Sequence, residues 1–197
     1  MSLLVKICGL SDKLHVEAAI NAGAGAVGFV FAESVRKIAP DRANLICVNV
    51  PQHIKRVAVM LHPSNDDWQE VLESFAPDVL QTDADDFAAL EVPESVERWP
   101  VYREGQASPA TGGAYVYEGR QSGQGETVDW TAAARHAGNG RMILAGGLDA
   151  QNVAAAVTTV RPFGVDVSTA VETAPGQKDL ILIDKFVSAA LAAERNL

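Results

Sequence analysis

Residues Leu3–Phe31 read LLVKICGLSDKLHVEAAINAGAGAVGFVF, and the architecture follows from this stretch. Leu3–Cys8 and Ala26–Phe31 are nearly continuous apolar runs of strand length, and Lys13–Ala22 between them has helical periodicity. Two such strands joined by a helix describe a parallel sheet covered by helices on its faces. The turn after the first strand is Cys8-Gly9-Leu10. It lacks the glycine-rich sequence that an open, doubly wound dinucleotide-binding sheet carries there.

The alternation continues to the end of the chain. Further strands are expected at Arg56–Leu61, Val79–Thr82, Val96–Tyr102, Ala114–Tyr117, Met142–Ala145 and Gly164–Val167. Helices are expected around Ala43–Val50, Asp66–Phe75, Trp130–Ala137, Gln151–Val160 and Asp179–Glu194. The last is the clearest, because Leu180, Ile183, Phe186, Val187, Ala190 and Leu191 recur at helical spacing. The fourth helix is short at best, around Asp85–Leu90, and the fifth, around Glu104–Thr111, is interrupted by Gly105, Ser108 and Pro109. Eight strands with intervening helices predict an α/β fold, a small (β/α)8 TIM barrel with some helices shortened or lost, occupying residues 1–197 as a single domain. An open doubly wound sheet is the alternative. The polar stretch Gly119–Thr127 reads as a long loop after the sixth strand, on the face where barrel enzymes build their sites.

Composition narrows the function. Apolar residues make up 48% of the 197 and charged residues 21%, with a formal net charge of -9. An acidic chain without a basic patch argues against nucleic acid or an anionic membrane as partner. An anionic substrate must then be held by local dipoles and a few placed cations. Cys8 and Cys47 lie far apart and have no metal-type spacing, so neither a disulfide framework nor a metal site is expected. No signal-peptide pattern and no membrane-length apolar run occur, which leaves a cytoplasmic location as the expectation.

Several residues at strand ends carry candidate chemistry. In Lys6-Ile7-Cys8-Gly9-Leu10 a thiol near a lysine is either a thiolate base or nucleophile, or a buried cysteine packed as a small hydrophobe. Leu144-Ala145-Gly146-Gly147-Leu148 and Val165-Asp166-Val167-Ser168-Thr169 follow the seventh and eighth strands, where barrels commonly hold phosphate. Arg36, just after the second strand, offers a planar fork for a carboxylate or is a solvated loop arginine. Glu118 ends the sixth strand, either as a general acid or as an exposed rim carboxylate. His15, His53, His62 and His136 share no spacing and are assigned no chemistry.

Together these pieces resemble the phosphoribosylanthranilate isomerase family over nearly the whole chain. Lys6-Ile7-Cys8-Gly9-Leu10 is similar to its opening motif, and Gly23–Phe31 with Ser34 and Arg36 to its second strand and carboxylate-binding arginine. Gly123–Trp130 resembles its glycine-rich loop. Leu144–Leu148 with Asn152-Val153 resembles its seventh-strand phosphate turn. Asp166-Val167-Ser168, Val171-Glu172 and Gly176–Asp179 resemble the eighth. The resemblance implies an Amadori rearrangement of N-(5'-phosphoribosyl)anthranilate, a phosphosugar–anthranilate substrate, in tryptophan biosynthesis, with no metal or organic cofactor. It assigns Cys8 as base and Glu118 as acid. It assigns Lys6, Arg36, Gly146, Gly147, Asp166, Ser168 and Thr169 to substrate binding, in a monomer or homodimer.

Three stretches depart from the family pattern. Gln81-Thr82-Asp83-Ala84 stands where Gln-Leu-His-Gly is usual, Glu118 replaces an aspartate, and Ala170 replaces a glycine. These departures keep two other readings open: a barrel that binds a phosphosugar without turning it over, and another phosphosugar enzyme such as a metal-dependent epimerase.

Overall fold

A computed structural model describes residues 3–106, 112–120 and 127–195. Eight parallel strands close into a barrel in sequence order: β1 (Leu4–Cys8), β2 (Ala26–Val30), β3 (Lys55–Val59), β4 (Val79–Asp83), β5 (Glu97–Arg103), β6 (Ala114–Glu118), β7 (Arg141–Leu144) and β8 (Gly164–Val167). Closure is made by β1 against β8, where Lys6 stands in register with Asp166. The expected barrel is therefore the observed one, and the open sheet is excluded, because no strand of it is left as an edge. Structural boundaries agree with the sequence reading to within two residues at each strand end.

Helices α1 (Lys13–Ala22), α2 (Pro40–Ile46), α3 (Asn65–Phe75), α4 (Trp130–Ala134), α5 (Val153–Val160) and α6 (Leu180–Glu194) run between the strands or close the chain. Local chemistry sets their ends. Asp12 caps α1 by accepting from the Leu14 amide, Asp179 caps α6, and Ser64 with Asp67 forms a capping box on α3. The second helix begins earlier than its apolar pattern suggests because Pro40 opens it and Asp41 follows in the first turn. The fourth connection is a 3-10 turn at Ala84–Ala88, and α4 stops at Ala134 before a second 3-10 turn at Ala137–Asn139. Residues 107–111, with the interrupting Ser108 and Pro109, and most of the polar loop expected at Gly119–Thr127 lie outside the described residues. A short hairpin, β9 (Glu172–Ala174) and β10 (Gln177–Lys178), follows β8 and was not expected.

Strand alternation sorts the core into two layers. Ala26, Val57, Val79, Trp99, Val116 and Ile143 point inward and fill the barrel. Val5, Ile7, Val27, Phe29 and Leu80 point outward against Val16, Trp68, Phe75 and Phe186 of the helices. Cys47 belongs to this outer layer, and burial pushes its thiol up to about 12. Among the described residues, no helix is long and apolar enough to cross a membrane.

Candidate active site

At the C-terminal ends of the strands lies a cavity of about 450 Å³. Cys8, Arg36, Glu118, Gly146, Gly147, Asp166, Ser168 and Thr169 all line it, contributed by β1, β2, β6, β7, β8 and their loops. Of the residues singled out from the sequence, Lys6 alone is absent from the lining. It points into the barrel beneath the cavity and is fully buried. Its place does not support direct contact with substrate, and its ammonium is bonded to Asp166 instead.

The thiol end of the cavity rests on two buried lysines. Lys6 Nζ donates to Asp166 Oδ2 at 2.8 Å. Burial pushes the Asp166 carboxyl up, while Lys6 and Lys178 pull it back. Burial also works against the Lys6 charge, yet Asp166 and Cys8 outweigh it and hold the ammonium above its ordinary value. A buried ammonium this close to a carboxylate oxygen keeps its charge only beside an ionised partner, so the two form an ion pair. Among the described residues Asp166 Oδ1 has no hydrogen-bond partner, although it is buried at the cavity floor. A buried oxygen left this way is an acceptor ready for a hydroxyl. The Cys8 thiol is pushed up by burial, with Lys6 and Lys178 acting in the opposite sense and Asp166 adding to the rise. Burial thus disfavours the thiolate of Cys8, and the two lysines favour it.

The second anchor is a chain of ion pairs that the sequence motifs did not disclose. Arg36 donates from Nε to Glu172 Oε1 at 2.7 Å and from Nη2 to Glu172 Oε2 at 2.8 Å. The same Nη2 reaches Thr169 Oγ1 at 3.3 Å. Lys178 Nζ donates to Glu172 Oε1 at 2.6 Å and to the Ser168 carbonyl at 2.9 Å. Burial works against the Glu172 charge, but its bonds from Arg36 and Lys178 dominate and hold the carboxyl at about 2. Glu172 thus occupies the Nε–Nη2 side of the guanidinium, and Arg36 also lines the cavity. Ser168 Oγ donates to the Cys8 carbonyl at 3.2 Å, which ties this network to the strand carrying the thiol.

At the opposite wall Arg103 meets both Glu118 and Asp83. Arg103 Nε lies 3.2 Å from Glu118 Oε1. Its two terminal nitrogens donate to Asp83 at 2.7 Å each, a bidentate pair. Beyond Asp83, His62 Nδ1 lies 2.9 Å from Asp86 Oδ1, and Nε2 lies 3.7 Å from Asp83 Oδ2. His62, assigned no chemistry from the sequence, is raised by its Asp86 contact but sits largely in solvent.

The two turns after β7 and β8 form the third wall. Gly146 and Gly147 adopt positive φ, +89° and +60°, a conformation that glycine takes without a Cβ penalty. Asn152 Nδ2 donates to the Gly147 carbonyl at 2.8 Å and so fixes this turn. The amides of Gln151 and Asn152, at the opening of α5, are taken by Asp149 Oδ1, both at 2.8 Å. These α5 amides are therefore already bonded within the protein. Among the described residues, no group of three or more His, Cys, Asp or Glu side chains is arranged to hold a metal ion.

Arg103, Asp83, Glu172 and Lys178 are the site residues that sequence reasoning left without a role. Glu172 and Lys178 stood inside a recognised motif, and the hint was their charge in a segment that returns to the end of β8. For Arg103 no sequence signal existed, since only strand pairing and register bring the end of β5 against those of β4 and β6.

Comparison with known proteins gives a consistent result. A model of the N-(5'-phosphoribosyl)anthranilate (PRA) isomerase family matches residues 5–189. An N-(5'-phosphoribosyl)anthranilate isomerase from Listeria monocytogenes is 33% identical over 98% of this chain and 100% of its own. The crystal structure of TrpF from Jonesia denitrificans superposes with a TM-score of 0.81 at 34% identity, with 98% of both chains covered. A phosphoribosyl anthranilate isomerase in complex with reduced 1-(o-carboxyphenylamino)-1-deoxyribulose 5-phosphate superposes with a TM-score of 0.76 at 27% identity, over 99% of this chain and 100% of that one.

Proposed function

The chain belongs to the N-(5'-phosphoribosyl)anthranilate isomerase family, and we propose that it performs that isomerisation with Cys8 as base and Glu118 as acid. It is an aldose–ketose isomerase of tryptophan biosynthesis. The observation that carries the residue assignment is that the thiol of β1 and the carboxyl group of β6 line one cavity, together with the two turns suited to a phosphate.

The chemistry proceeds in three proton movements. Glu118 gives its proton to the ribose ring oxygen, the C1–O bond breaks, and the nitrogen lone pair forms the Schiff base. Cys8, as thiolate, removes the proton from C2, and the electron pair of that C–H bond neutralises the iminium to give the enolamine. Tautomerisation, with a proton returned to C1, gives 1-(2-carboxyphenylamino)-1-deoxyribulose 5-phosphate. Atoms balance without an oxidant, because the aldose carbon is reduced as its neighbour is oxidised. Asp166, with Oδ1 unpartnered, accepts from a ribose hydroxyl. The amides of the Gly146–Gly147 and Ser168–Thr169 turns hold the phosphate, and Arg36 holds the anthranilate carboxylate. Lys6 acts one step removed, by fixing Asp166 and drawing Cys8 toward its thiolate.

The direct test is complementation of a tryptophan auxotroph lacking this isomerase, with the purified protein assayed for loss of substrate fluorescence. Growth and turnover that vanish in Cys8→Ala, while product affinity is kept, are the expected results. A wild-type chain that binds product but neither complements nor turns over would leave a non-catalytic phosphosugar-binding barrel instead.

A further inference from the structure

Arg103 sits where two departures from the family pattern meet. Its Nε lies 3.2 Å from Glu118 Oε1, and its other edge holds both oxygens of Asp83 at 2.7 Å. The side chains of Arg103, Asp83 and Glu118 are only 15%, 16% and 14% exposed, so solvent screens this trio far less than a surface pair. A glutamate brings one more rotatable bond than the aspartate usual at this position, and a general acid must be held within a fraction of an ångström of its proton acceptor. The far edge of the guanidinium is held as well. Asp83, standing where the family's histidine is usual, holds that edge with a bidentate fork that fixes both distance and plane.

We propose that Arg103 is a positioning residue, braced by Asp83, that fixes the Glu118 carboxyl group for proton transfer to the ribose ring oxygen. The inference rests on the reading of Glu118 as the acid. The histidine lost from β4 and the lengthened carboxylate of β6 are then one compensated change rather than two defects. Asp83 and Glu118 both stabilise the guanidinium charge. Thr82 and His62 hold Asp86 beside Asp83, which closes the outer side of the brace.

The test is a kinetic cycle on the purified enzyme. Arg103→Gln is expected to lower kcat by on the order of ten- to a hundredfold with KM unchanged, and Arg103→Lys to recover part of that loss. In a Glu118→Gln background, whose kcat is already low, Arg103→Gln is expected to cost nothing further, because the arginine acts only through that carboxyl group. If Arg103→Gln does not fold, Asp83→Asn serves in its place, with a smaller fall in kcat at constant KM. A raised KM with kcat preserved overturns the proposal in favour of a substrate-binding arginine, and undiminished kcat in Arg103→Gln or Asp83→Asn overturns it outright. Full kcat in Glu118→Gln alone removes the acid assignment instead, which separates failure of the premise from failure of the brace.

Discussion

Lys6 and Asp166 face each other in register across the seam that closes the barrel, with Nζ 2.8 Å from Oδ2 and the lysine fully buried. One interaction therefore joins the first strand to the last and lies directly beneath the thiol. Removing one partner leaves the other charge buried and uncompensated. Lys6→Met is expected to lower the unfolding free energy by about 3–5 kcal/mol. Adding Asp166→Leu to it is expected to recover much of that stability without recovering activity. Urea denaturation of both variants measures this, and an unchanged midpoint for the single variant would show that the seam does not depend on the pair.

The Cys8 thiol stands above its ordinary value of 9.0 because burial outweighs the pull of the two lysines. A base must lose its proton first, so the rate limb belonging to Cys8 rises with pH. We expect kcat/KM, which reports groups of the free enzyme, to climb through the alkaline range beyond an ordinary thiol. A pH–rate profile with that limb at or below the ordinary thiol value argues against Cys8 as the base.

Glu172 carries its own pH signature. Its carboxyl is held at about 2, against an ordinary 4.5, by Arg36 and Lys178. A depressed carboxyl stabilises the fold fully above its unfolded value and loses that contribution as pH falls toward the folded one. The gap in Tm between wild type and Glu172→Gln is therefore expected to be full above pH 4.5 and to close as pH falls toward 2. A gap independent of pH over that window would place the stabilising effect elsewhere.

Gly9 bears on Arg36. It adopts φ of +75°, and a Cβ added there would lie 2.6 Å from Arg36 Cδ and 3.2 Å from Ser168 Oγ. Gly9→Ala therefore combines backbone strain of about 1–2 kcal/mol with displacement of Arg36, the residue we propose binds the anthranilate carboxylate. We expect KM to rise by on the order of tenfold, with a smaller loss of kcat. Steady-state kinetics alongside thermal unfolding separate the two effects, and a KM unchanged in a folded variant would show that Arg36 does not bind substrate.

Much of this was readable along the chain. Apolar runs such as Ala26–Val30 and Gly164–Val167 announce buried parallel strands because burial on both faces leaves no polar alternation. The Cys8-Gly9 and Gly146-Gly147 turns stood out because strand-end glycines have few other uses. Less legible were the hairpin Glu172–Lys178, whose strands of three and two residues are too short for any period to show, and the shift of α2 to Pro40. In both cases capping and tertiary contact decided what hydrophobic spacing alone did not.

Strand order, cavity face and candidate thiol were determined by local pattern, since periodicity and turn chemistry act between residues close in sequence. The partners of the charged groups were decided only in three dimensions. Lys6 meets Asp166 and Arg36 meets Glu172 because barrel closure brings distant strand ends together, and Arg103 meets both Asp83 and Glu118 through the pairing of its own strand with its two neighbours. A sequence records that a residue is charged. Which opposite charge it meets, and whether water is excluded from the meeting, is settled by the closed sheet.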